Sequence, residues 1–180
     1  MALAQRKTTE EKTDMEAMME VWRKLATPGA PHKLLAGRVG TWDAKTRNWL
    51  TPAGPPVEST GTSERRMILG GRFLREDFKG EMFGNPFTGI GMMGYDNHLK
   101  KYVMSWMDSM STSLHTFEGM ASPDGKTIVM EGRFDNPMRG PGTWHGTTRI
   151  VDDNTEVFEM RATYERGGEE RFEITYTRRR

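Results

Sequence analysis

Hydrophobic and polar positions follow two different periods along this chain. Met15, Met18, Met19, Trp22, Leu25 and Ala26 recur at the three- and four-residue spacing that lines one face of an α-helix. Thr13 and Glu16 have the spacing of a capping box, so the pattern predicts a helix over 14–26. Pro28-Gly29 ends it, because proline has no amide hydrogen and drives the preceding residue out of the helical region. A short turn over 31–36 leads onward. The Met/Trp stripe needs cover, and the expected cover is the body of the same chain; a barrel mouth or a second copy of the chain are the alternatives.

From Gly37 the period falls to two. Short segments rich in aromatics, Thr and Val are punctuated by Gly, Pro, Asn and Asp, which predicts antiparallel strands. Ten are expected, at 39–49, 57–68, 72–82, 88–95, 101–108, 113–121, 127–135, 143–151, 155–164 and 170–178. Three turns then fix which side chains share a face, since loop length sets register. A two-residue turn at Gly70-Gly71 pairs Met67 with Leu74, Arg65 with Glu76 and Ser63 with Phe78. A loop at Asp152, Asp153 and Asn154 pairs Ile150 with Glu156, Thr148 with Phe158 and Trp144 with Ala162. A loop at Arg166, Gly167 and Gly168 pairs Ala162 with Phe172, Met160 with Ile174 and Phe158 with Tyr176. Trp144, Ile150, Phe158, Met160, Phe172, Ile174 and Tyr176 therefore share an apolar face, and Glu159, Arg161, Arg171 and Glu173 the opposite one. Such a meander buries its apolar face either as a sandwich or by closing on itself. Closure removes the exposed edges and leaves room inside for a small ligand. The expected organisation is a flexible tail over 1–13, a helix and connector over 14–36 and a β-barrel over 37–180.

Composition narrows the chemistry. With 26 Lys+Arg against 25 Asp+Glu and no block of like charge, no nucleic-acid partner is implied. The terminal Arg178-Arg179-Arg180 reads as a solvated tail. Fifteen Met, eight Phe, five Trp and four Tyr make the core methionine- and aromatic-rich. The absence of Cys removes disulfides, thiolate nucleophiles and Cys-ligated metals. No run resembles a signal segment or a membrane-spanning helix, so a cytoplasmic protein without a membrane partner is expected.

Leu35-Ala-Gly37-Arg-Val-Gly40-Thr-Trp42 contains a G-x-W tripeptide. Taken with Arg66-Met67-Ile-Leu-Gly70-Gly71-Arg72-Phe73-Leu74, Gly94-Tyr95-Asp96-Asn97, Trp106-Met-Asp108 through Thr112, and Tyr176-Thr177-Arg178, the chain resembles the family called domain of unknown function 1579 over about 15–178. The G-x-W itself is similar to the opening of the first strand in calycin barrels, the lipocalin and fatty-acid-binding-protein group. This resemblance implies an all-β, antiparallel up-and-down calycin-like β-barrel of about ten strands with an N-terminal α-helix. It also implies that Trp42 packs against Arg178 at a closed barrel end.

Several candidate sites read differently once their context is considered. Gly89-Ile-Gly91-Met-Met-Gly94 matches G-x-G-x-x-G, but no helix follows it, so these glycines are read as close packing or strand curvature. Met104, Met107 and Met110 have thioether-ligand spacing, yet on a strand they point to opposite faces and are read as core. Met92, Met104, Met130 and Met160 are expected to form an adaptable apolar wall. Arg65 and Glu76 are placed on the inward face, where a charge must be paired. Tyr102, Met104, Trp106 and Asp108 share another alternating face, with Asp108 at a barrel mouth and His115 beyond the loop. An Asp108/His115 pair with a nearby serine, or an axial haem ligand at His115 or His145, is weighed and set aside: no nucleophile elbow is present, and register puts His145 outside.

The expected function is a barrel holding an apolar or amphipathic small molecule. Arg65, Glu76, Tyr95 and Asp108 are its polar anchors, and Met104, Trp106 and Phe158 its apolar contacts. No catalytic residue, metal or cofactor is assigned. Two alternatives remain: an enzyme using Glu76 and Asp108 for acid–base chemistry, and a homodimer without ligand.

Overall fold

A computed structural model describes residues 2–49 and 54–180, with side chains from Thr13 onward. Helix α1 spans Ala2–Ala26 and helix α2 spans Ala30–Ala36. The helix thus begins well before the Thr13/Glu16 capping box, and Thr13 lies inside it. The reason is composition: 2–13 contains neither Gly nor Pro and is mostly Ala, Leu, Gln, Glu, Arg and Lys, good helix formers.

The apolar stripe of α1 is not buried as expected. Met15, Met18, Met19 and Trp22 are exposed, Trp22 by 61%, and Leu25 alone of the larger stripe residues is half-buried. The amide of Asn97 donates to the carbonyls of Leu25 (2.8 Å) and Thr27 (2.9 Å), which holds the C-terminal end of α1 to the turn after β4.

Ten strands follow: β1 Gly40–Trp49, β2 Val57–Ile68, β3 Phe73–Met82, β4 Asn85–Asp96, β5 Lys101–Asp108, β6 His115–Ala121, β7 Thr127–Asn136, β8 Gly140–Asp152, β9 Thr155–Tyr164 and β10 Glu169–Arg178. Each pairs antiparallel with its neighbours in sequence, and β1 pairs with β10, closing a barrel. Closure leaves no strand edge unpaired, which is how an antiparallel meander of this length avoids edge-to-edge association.

Two of the three expected registers are observed. Arg65 faces Glu76 and Met67 faces Leu74, although the connection is the wider loop 69–72, with Leu69, Gly70 and Gly71 at positive φ. Ile150 faces Glu156 and Trp144 faces Ala162, with a bulge between Ile150 and Asp152. The third register is shifted by two: Met160 faces Phe172, Phe158 faces Ile174 and Glu156 faces Tyr176. Here the turn centres on Arg166 rather than Gly167, the Gly167 amide donating to the Tyr164 carbonyl (2.9 Å). A shift of two preserves parity, so the apolar face survives the error.

The chain end is also better anchored than a solvated tail. Arg178 faces Trp42 across β1 and β10, and its guanidinium stacks 4.1 Å from the indole centroid. It donates to the carbonyls of Asp153 (2.8 Å), Gly37 (2.7 Å) and Val39. Arg179 is tied to Asp43 and Thr62. Among the described residues no helix is long and apolar enough to cross a membrane.

Candidate functional site

One end of the barrel is stoppered. Leu35 of α2 is fully buried against Leu74, Met93, Tyr102, Phe117 and Ile128, and His32 is buried beside it. Burial lowers the His32 pKa from its ordinary value, against a hydrogen bond that the ring donates to the Tyr95 backbone carbonyl, which raises it. Directly after this plug, Arg38 turns inward and its carbonyl accepts the Trp42 indole N–H (3.1 Å).

A charged network lies under the plug. Arg38 donates through Nε and Nη2 to Glu156 (2.9 and 3.0 Å), and Arg65 donates through Nη1 to the same carboxylate (2.7 Å). Arg65 also reaches Ser63 Oγ (3.1 Å) and Glu76 Oε1 (3.4 Å), and Ser63 donates to that Oε1 (2.6 Å). Tyr176 lays its ring 4.3 Å from the Arg65 guanidinium. Burial alone would push the Glu156 carboxyl up, but the two guanidiniums and their hydrogen bonds outweigh it and hold the pKa at about 2. Burial opposes the Arg65 charge as well, and Glu76 and Glu156 overcome it, so that pKa is raised.

Beyond the network the interior opens into a cavity of about 250 Å³. It runs from Arg38 and Arg65 to the opposite end, where Glu81 is exposed and Met82, Phe87, Asp108 and His115 stand at the rim. Its size is near the lower end of ligand pockets, which occupy roughly 300 to 1,000 Å³. A slim molecule is what would fit.

Trp106 forms one wall, and the G-x-G-x-x-G segment explains its posture. A Cβ at Gly89 would overlap the indole, and one at Gly91 would stand 3.2 Å from it. The ring therefore lies flat across β4 where two side chains are missing. Asp108 locks it there, accepting the Trp106 Nε1–H at Oδ2 (2.9 Å) and the Met110 amide at Oδ1 (2.9 Å). Those donors come from the strand end and the loop amide, and not from His115.

Arg65, Glu76, Met104, Trp106, Asp108 and Phe158 all line this cavity. Tyr95 does not: it shares the inward parity but lies above the cavity at the plug, packed edge-on to Tyr102 (5.1 Å) and His32 (6.1 Å). Met92 and Met93 both line the cavity, Met93 being the more buried on β4, at 7% against 38% exposure. Arg38, Ser63 and Glu156 belong to the polar end and were missed. Glu156 was legible, since it has the parity of Phe158 and Met160. Arg38 precedes β1 and carries no strand parity, so nothing in the periodicity could reveal it.

The family described as Protein of unknown function (DUF1579) matches residues 27–178. No curated protein matches the chain significantly. Among solved structures, Rv2717c from M. tuberculosis is 13% identical with a TM-score of 0.65, over 86% of this chain and 100% of that one. An S-type phycobiliprotein lyase, CPES from Guillardia theta, is 9% identical with a TM-score of 0.59, over 82% of this chain and 92% of that one. At such identities the likeness is one of fold.

Proposed function

We propose that this chain, which belongs to the DUF1579 family of proteins of unknown function, holds an apolar or amphipathic small molecule inside its barrel. The observation that carries the reading is the cavity itself. A closed barrel interior can be filled entirely by side chains, and this one keeps about 250 Å³ walled by Trp106, Phe158, Met104 and their neighbours. Glu76 at the edge of the network and Asp108 at the rim supply the few fixed polar groups that orient a ligand, while Arg65 is engaged by Ser63, Glu156 and Glu76, with the cytoplasm as its compartment. The phycobiliprotein lyase among the structural neighbours supports only the suitability of such a barrel; no bilin is assigned to this chain.

Native mass spectrometry and solvent extraction of freshly purified protein should recover a small apolar molecule in stoichiometric amount. Recovery of none, together with no uptake of any apolar probe, would sink the reading. The acid–base alternative gains no support from the geometry, since Glu76 is engaged by Ser63 and Arg65 and Asp108 by Trp106 and Met110. Self-association does gain one observation, the exposed Met15/Met18/Met19/Trp22 stripe of α1. Sedimentation as a monomer at micromolar concentration would remove that second reading.

A further inference from the structure

Resting on the ligand-binding reading, the charges around the cavity say something about the ligand's own charge. Both guanidiniums that reach the cavity already have an acceptor in the protein at each nitrogen, and their charge is paired by Glu156 and Glu76. Every nitrogen of Arg38 has an acceptor: Nε and Nη2 on Glu156, and Nη1 on the Met93 sulfur (3.4 Å). Every nitrogen of Arg65 has one too, in Ser63, Glu156 and Glu76. A ligand carboxylate or phosphate entering here would meet guanidiniums whose charge is already offset by Glu156 and Glu76.

The carboxylates are in the opposite position. Arg38 and Arg65 stand against four of them: Glu156 within the network, and Glu76, Glu81 and Asp108 on the cavity lining. The surplus is negative, and it grows toward the rim, where Glu81 and Asp108 face no lining guanidinium. Glu76 takes both of its hydrogen bonds on Oε1. Between these acids the walls are aromatic faces, Phe78, Phe87, Trp106, Phe158 and Tyr176 among them. Aromatic faces attract cations through the ring quadrupole, and most strongly away from water. The rim carboxylates act in the same direction, Asp108 half-buried and Glu81 exposed to solvent, which screens its share.

We propose that the cavity selects an organic cation: a slim apolar body carrying a protonated or quaternary amine, with the charged end toward Glu81 and Asp108. An anionic amphiphile of the same length is disfavoured, and a neutral one is bound by its apolar body alone.

Isothermal titration calorimetry with three probes of one chain length, dodecyltrimethylammonium, dodecanol and dodecanoate, each below its micelle concentration, tests this. The cation should bind the full-length protein at least about tenfold more tightly than dodecanoate, and the preference should shrink with added salt. In an E81Q variant the preference should fall while dodecanol affinity stays unchanged, which also reports that the cavity is intact. D108N, which also frees the Trp106 indole N–H, should lower the preference further, read as the ratio of dodecyltrimethylammonium to dodecanoate affinity. Dodecanoate binding as tightly as the cation overturns the inference and leaves the ligand-binding reading standing, as does a preference unchanged in every variant. Binding of none of the three probes overturns both.

Discussion

At the α2 end of the barrel, Arg38, Arg65, Glu156, Ser63 and Glu76 close a hydrogen-bonded network beneath a helix; at the other end, Trp106, Phe87 and Asp108 stand around open space. Both groups lie on the same inward side of the barrel. What separates them is whether a polar group finds its partner inside the protein. At the plugged end each charge does, so the network serves structure. At the rim Asp108 accepts local N–H donors, neither acid meets a lining guanidinium, and the walls between them are apolar. The comparison teaches that inward polar residues in a barrel are not all ligand anchors; those already matched are the stopper.

The most severe way to break this contrast is at Glu156. Glu156→Gln leaves two buried guanidiniums facing a neutral amide and should cost about 3 to 5 kcal/mol of stability in a denaturant titration. Removing Glu76 or Asp108, each nearer the cavity, should cost less; an equal cost would erase the distinction between the ends. The same carboxylate sets an acid limit. Its folded pKa of about 2 lies below the ordinary 4.5, so its contribution is fully present above about pH 4.5 and is lost as pH falls toward 2. At about 1.4 kcal/mol per unit, that loss is about 3 kcal/mol. Stability measured across this window should fall in the native protein and fall less in Glu156→Gln.

The smallest effect is expected at the rim. Gly89→Ala puts a methyl group where the Trp106 ring lies, and should cost about 1 to 3 kcal/mol by overpacking while changing tryptophan fluorescence and probe affinity together. A silent Gly89→Ala would mean that the indole is free to move, and that the wall it forms is not fixed.

Much of the fold was legible because two periodicities are simple to read. Strand parity placed Arg65 opposite Glu76 and brought Phe158, Ile174 and Tyr176 to one side, and it survived a turn misplaced by one residue at Arg166. Parity cannot say how deep along the axis a residue sits, which is why it groups Tyr95 with the ligand anchors although the ring packs against His32 and Tyr102. Nor does it reach residues outside strands, such as Arg38. The α1 stripe shows the reverse limit: its helical period is plain, but amphipathic spacing states only that a face is apolar, not that this chain covers it.

By itself, then, the order of residues determined local geometry: which segments extend, which way each side chain points, and that inward charges must be partnered somewhere. Only the closed barrel decided the partners. Glu156 lies 118 residues from Arg38 and 91 from Arg65, and nothing local links them. Their meeting, the end that α2 covers and the space left beside Trp106 follow from joining β1 to β10, because contacts between distant strands exist only once the sheet has curled onto itself.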